Sequence, residues 1–422
     1  MKSRKILVWF RNDLRLHDNE VLVEAVAKSD SILPVYFFDP RYFEYTEEGK
    51  IIPGNSRVQF LIESVAALRE SLKKLGGNLL IIEGKPEDHL PKLVEQYEIA
   101  EVYHHREVAT KETDISSNVE DILWKIKINL KHFLGHTLYN KEDLPFPIKD
   151  IPDVFSQFKK KTERDATVKN CFSTPEVITF TDAEEWGELP EYEGLEINGY
   201  SGGEEEGIKH LNNLFEPGSE IYVKVNPRAN IDKHSYSSKL SPWLAAGCLS
   251  PRKVYWAIKD AEREFGVNPN FTHLILGLLW RDYFRFMFKK HSGNFFNEPG
   301  SISESVFNQQ KQAADLQQWK DGATGHILVD SYMKELNKTG FVPHSARLLV
   351  ATFLIYILKI SWTSGASYFE EKLIDYSPAS NWGNWANVAG GGKDPRSKNT
   401  FDLDKNLKIL VQEDADSVLI SS

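Results

Sequence analysis

The sequence is poor in cysteine: Cys171 and Cys248 are the only two in 422 residues. That excludes a disulfide framework, a four-cysteine zinc site and an iron–sulfur cluster, and fits a reducing compartment. No apolar run approaches the ~20 residues needed to cross a bilayer, and the first five residues lead straight into Ile6-Leu7-Val8-Trp9-Phe10 without a small-residue cleavage site. A cytoplasmic protein is expected. An excess of positive charge is also missing, with 51 Lys and Arg against 61 Asp and Glu and a formal net charge of −10. Nucleic-acid contact would therefore need a local basic surface. Internal repeats and low-complexity segments are absent. A composition of 41% hydrophobic and 27% charged residues is that of a globular protein.

The length predicts two domains, each with its own core. Apolar and β-branched runs at Lys5–Phe10, Ile32–Phe38, Leu79–Ile82 and Glu101–Tyr103 read as buried strands. Between them lie the helix-period stretches Glu20–Ser29, Ser56–Leu75 and Pro86–Tyr97. This alternation predicts an α/β domain over residues 1–143, an open parallel Rossmann-like sheet covered on both faces. Such sheets bind ligands at the carboxyl ends of their strands, so Trp9–Arg15 and Phe38–Arg41 are candidate ligand loops. Residues 144–219, rich in Pro, Gly and acidic residues, read as a connector with short helices. From 220 to 422 strand signals vanish and aromatic, helix-period segments predict an all-α domain.

Four strings carry chemistry. Tyr236-Ser237-Ser238-Lys239-Leu240-Ser241-Pro242 places hydroxyls and a lysine before a helix, which suits an anion site. It equally suits plain capping by Ser241 with Pro242 at the first helical position. In Gly277-Leu278-Leu279-Trp280-Arg281-Asp282-Tyr283-Phe284-Arg285, Arg281 and Arg285 share one helix face. An aromatic stripe at this spacing is more often core than cofactor box. Thr339–Leu348 carries His344 and Arg347, and Leu373-Ile374-Asp375-Tyr376 supplies an acid that can pair with Arg347. The last string runs Ser380-Asn381-Trp382-Gly383-Asn384-Trp385 and on through Gly392-Lys393-Asp394-Pro395-Arg396.

Together with Trp9-Phe10-Arg11-Asn12-Asp13-Leu14-Arg15 at the amino end, these strings resemble the photolyase/cryptochrome family over about residues 5–400. The wording of the last is similar to that of the DASH cryptochromes. The resemblance implies an FAD-binding helical domain. Tyr222, Ser237, Ser238, Lys239, Leu240, Ser241 and Arg281 would face the cofactor phosphates, and Arg347, Asp375 and Asn381 the flavin ring. It implies blue-light electron transfer through Trp385 and Trp362, with Trp280, Arg281, His344 and Asn387 around a pyrimidine dimer in damaged or single-stranded DNA. A folate antenna, methenyltetrahydrofolate, would touch Glu142, and a monomer is expected.

The sequence also departs from the family. Gly277 stands where family photolyases carry a lesion-binding glutamate, Ser377 replaces an acid, and Leu348 replaces the second histidine of the (6-4) pair. The distal tryptophan position falls on Gln309 or Phe307, so an electron path would end elsewhere, on Trp319 or a tyrosine. These departures leave a non-repairing blue-light photoreceptor as the rival reading.

Overall fold

The computed structural model describes residues 3–45, 51–191, 199–222, 237–291 and 309–390. Tyr236, Phe307 and the string Gly391–Arg396 lie outside them.

The amino-terminal half is built on seven strands, β1 (Lys5–Phe10), β2 (Ser31–Phe38), β3 (Glu44–Tyr45), β4 (Ile51–Ile52), β5 (Leu80–Glu83), β6 (Ile99–His105) and β7 (Asn129–Phe133). Five form one parallel sheet in the order β5-β2-β1-β6-β7, and β3 and β4 make a small antiparallel pair. Every residue of β2 is buried, as expected of a strand covered on both faces. Helices α1 (Glu20–Lys28), α2 (Asn55–Lys74), α3 (Pro86–Gln96) and α4 (Thr110–Lys125) supply the crossovers. Strand order reverses between β1 and β6, so the crevice for a ligand opens beyond β1, at the loop Trp9–Arg15. The sequence pattern had shown four of these five strands. The edge strand β7, short and half-exposed, went unread.

The connector carries α5 (Phe155–Asp165) and α6 (Glu204–Leu214), and its middle returns to the sheet, where Phe180 bridges Ile32 and the Ile81 N–H donates to the Trp186 carbonyl at 3.0 Å. Beyond it come α7 (Ser241–Ala245), α8 (Pro251–Phe265), α9 (Pro269–His291), α10 (Gln309–Asp321), α11 (Ile327–Thr339), α12 (His344–Thr352), α13 (Trp362–Lys372) and α14 (Pro378–Val388). None of the described helices is long and apolar enough to cross a membrane.

Sheet and helices meet in a charged seam. Arg15, 1% exposed, donates to the carbonyls of His17, Asp18, Gly135 and Gly247. Asp18 and Arg252 form a buried bidentate pair at 2.6 and 3.0 Å. Gly247, at φ +72°, lies so close to Asn12 that a Cβ would sit 1.7 Å from its carbonyl oxygen, so only glycine fits. From α9, Asp282 accepts from the N–H groups of Leu138 and Tyr139, and Arg285 pairs with Glu107 at 2.6 Å. Each of these seam side chains thus has a partner, as burial requires.

Candidate functional site

Helix α14 positions the site. Ser377, Ser380, Asn381, Asn384, Trp385 and Val388 recur at three- and four-residue spacing and form one face of the helix, which lines a slot closed by His344, Arg347, Leu348 and Ala351 of α12. Phe369 of α13 and the following Leu373 and Asp375 complete the wall. The slot encloses about 60 Å³, or about 480 Å³ with its open mouth. On the opposite face of α14, Gly383 packs so tightly on Phe284 of α9 that a Cβ would meet the ring at 2.4 Å.

The polar groups in the slot are few and convergent, as in a ligand site. Arg347 donates to Asp375 Oδ2 at 2.8 Å and to the Val342 carbonyl at 2.9 Å, fixing the guanidinium at the wall. The Asp375 side chain is 3% exposed, yet its Oδ1 has no hydrogen-bond partner among the described residues. A buried carboxylate oxygen left open costs free energy unless a donor reaches it, so it marks a place for a ligand N–H. Asn381 donates from Nδ2 to the Ala366 carbonyl at 2.9 Å, which fixes the plane of its amide. His344, exposed at the start of α12, faces the same slot.

Trp385 is 3% exposed, with its ring against Phe369 (centroids 5.1 Å) and Trp319 (6.2 Å). Trp319 is fully buried and stands 5.8 Å from Tyr368. Trp362 pairs with Trp382 at 5.9 Å, so the two tryptophans expected in one path have different ring partners.

Other expected residues stand elsewhere. Trp280 stacks on Phe155 at 3.5 Å, within the core between α9 and α5. Arg281 donates to the carbonyls of His136 and Leu244, so this aromatic and basic helix face serves the seam rather than the slot. The Tyr222 hydroxyl donates to the Phe215 carbonyl at 2.9 Å. Ser237, Ser238, Lys239 and Leu240 form the loop before α7, with Lys239 at φ +53° and the Ser238 carbonyl 2.8 Å from His210 Nε2. Capping by Ser241 is corrected. The helix begins at Ser241 itself, Leu240 occupies the cap position in a helical conformation, and no side chain caps it. Asn387, though buried, does not line the slot, and Glu142 is a surface residue paired with Lys141 at 3.3 Å. Ser380 and Asn384 stood in the quoted string without a role of their own, although Asn384 follows Ser380 by four residues and Asn381 by three, on one helix face.

A second, larger cavity of about 570 Å³ opens beyond β1 and β2, where strand order predicted a ligand crevice. Its lining includes Trp9, Arg11, Asp39, Tyr42, Glu112 and Trp382. The Tyr42 hydroxyl and Glu112 Oε2 are buried there without partners among the described residues.

Comparison with known proteins identifies the class. Residues 6–176 match the DNA photolyase family model, and residues 274–415 match the model of the FAD binding domain of DNA photolyase. The chain is 39% identical to a Cryptochrome DASH of Synechocystis over 95% of its own length and 84% of that protein's. It is also 39% identical to a Cryptochrome DASH of Natronomonas pharaonis, over 93% and 85% respectively. The crystal structure of the Synechocystis cryptochrome superposes with a TM-score of 0.81 at 38% identity, covering 95% of this chain and 87% of that one. The chain belongs to the photolyase/cryptochrome family, with an amino-terminal α/β sheet domain and a mostly helical FAD-binding domain.

Proposed function

We propose that the protein is a blue-light flavoprotein that holds FAD in the α12–α14 slot and acts on cyclobutane pyrimidine dimers in single-stranded DNA. The unpartnered Asp375 Oδ1 carries this reading, because it needs a donor that the described protein does not supply. The donor set suits a flavin ring: an open carboxylate oxygen for a ring N–H, Arg347 beside it for negative charge, and Asn381 with its amide plane fixed. When bound, the flavin supplies light absorption and one-electron chemistry. The protein's share is to hold the ring, keep water from its inner edge with Phe369 and Val388, and offer Trp385 as a nearby donor. Ser237 to Ser241 and Arg281 remain proposed contacts for the phosphates, and His344 and Trp280 for a flipped-out lesion.

The test is to purify the protein in the dark and record its visible absorption before and after blue light with a thiol reductant. A flavin spectrum that bleaches supports the cofactor and the donor; a colourless protein overturns both. Loss of dimers from single-stranded DNA under blue light then separates repair from sensing. Gly277 favours the sensing reading, since this exposed helical position presents no side chain where family photolyases have a carboxylate. As a second chromophore, methenyltetrahydrofolate has two candidate places, the surface at Glu142 and the 570 Å³ cavity. The unpartnered Tyr42 and Glu112 groups favour the cavity. Mass spectrometry of the small molecules released on denaturation checks it.

A further inference from the structure

Between the two cavities runs the strap that joins α13 to α14. Leu373, Asp375 and Ser377 face the slot, while Ile374, Tyr376 and Pro378 face the large cavity, in strict alternation. Leu373 and Ser377 have extended backbone angles, and the chain turns at Ile374 and Asp375 between them. A displacement of one face of such a strap therefore moves the other.

The strap is held from the amino-terminal half. Arg57, near the start of α2, donates from one guanidinium nitrogen to the carbonyls of Glu370 (2.7 Å) and Leu373 (3.1 Å) at the carboxyl end of α13. Its guanidinium lies over the Tyr376 ring at 4.9 Å. The Gly54 N–H adds a bond to the Glu371 carbonyl at 2.8 Å, and the Ile374 N–H bonds the Gly340 carbonyl at 2.9 Å. Asp375 sits between the residues that Arg57 grips, Leu373 and Tyr376, and among the described residues only Arg347 bonds its carboxylate. Arg57 lines the large cavity and not the slot.

We infer that Arg57 is a positioning residue for the flavin site: it clamps the strap from the large cavity and sets where Asp375 stands in the slot. This rests on the slot holding FAD. Arginine suits the task because a planar guanidinium can serve two carbonyls while lying flat on a ring, which an ammonium cannot do.

The experiment is a titration of flavin-depleted protein with FAD, followed by flavin fluorescence and visible absorption, for wild type, Arg57→Met, Arg57→Lys, Asp375→Asn and the double variant Arg57→Met/Asp375→Asn. Arg57→Met is expected to weaken FAD binding about tenfold, the scale of one lost charge-assisted contact. Arg57→Lys should recover only part of that loss. The double variant should bind no more weakly than Asp375→Asn alone, because Arg57 acts through that carboxylate. The absorption band of the bound flavin should shift in Arg57→Met as it does in Asp375→Asn, which a loss of fold stability alone would not produce. If Arg57→Met does not fold, the cycle is run with Arg57→Lys. Wild-type binding by the Arg57 variants, or losses that multiply in the double variant, overturns the inference and leaves the flavin reading standing. A wild-type protein that takes up no FAD overturns both.

Discussion

Gly277 and Gly365 both sit inside helices, and replacing each with alanine should move stability in opposite directions. Relieving the backbone entropy of a mid-helix glycine contributes about 0.5–1 kcal/mol at either position. At Gly277, on the exposed face of α9, a new Cβ meets no described atom within 4 Å, so Gly277→Ala should keep the whole gain. At Gly365, in α13, the Cβ would stand 2.2 and 2.5 Å from the Trp385 ring and 2.6 Å from Leu354 Cδ2. Phe369 and Trp319 already press on Trp385, so its ring would have to retreat by about 1 Å toward the slot. Overpacking of this kind costs about 1–3 kcal/mol against the helix gain of about 0.5–1 kcal/mol, which leaves Gly365→Ala less stable by up to about 2.5 kcal/mol. Urea unfolding followed by circular dichroism measures both, and FAD titration of Gly365→Ala should show weaker uptake as the ring intrudes. A Gly365→Ala protein as stable as Gly277→Ala would refute the packing of Trp385 on α13 described above.

Arg252→Met leaves Asp18, whose side chain is 0% exposed, without its cation, at a cost of about 3–5 kcal/mol. Adding Asp18→Asn should return much of that, and a chemical-denaturation cycle reads it. Burial pushes the His136 imidazole down to about 3. Its folded value lies below its unfolded one, so between about pH 6.5 and 3 the unfolded chain gains a proton the native one refuses, and stability falls by up to about 1.4 kcal/mol per pH unit on acidification. Unfolding free energies across that range should be less steep in His136→Gln, and the His136 ring resonances of wild type should not titrate near pH 6. Trp319→Phe should slow bleaching of the flavin under blue light with thiol, because Trp319 is a ring neighbour of Trp385; Trp385→Phe should abolish it.

Much of the sheet was legible because its strands are buried on both faces, and eight successive buried residues such as Ser31–Phe38 leave an apolar run that no surface segment imitates. The slot was legible in part. Arg347, Asp375, Asn381, His344 and Trp385 meet there because two helix faces and the strap between α13 and α14 carry them, and the helix periodicity is a local property of the sequence. Trp280 and Arg281 read ambiguously for a physical reason. A helix that grips a neighbouring domain and a helix that lines a cofactor show the same mixture of rings and cations, and only the partner atoms, His136 O and Leu244 O, tell them apart. The pairing of Trp385 with Trp319 was beyond local reading, since it depends on how α10 packs against α14.

The two matched stretches, 6–176 and 274–415, leave out the residues between them, and that interval contains Glu204, Gly247 and Arg252. Glu204 accepts from the Leu16 N–H at 2.6 Å and the His17 N–H at 3.1 Å, Gly247 permits backbone to touch backbone, and Arg252 neutralises Asp18. A fragment cut to either matched stretch would bare apolar surface of a core that spans both halves, where Leu14, Phe60, Trp243 and Phe284 belong to one cluster. Such halves should aggregate when expressed apart. Exchanging the sheet half with a relative's would then succeed only if the intervening segment travels with it.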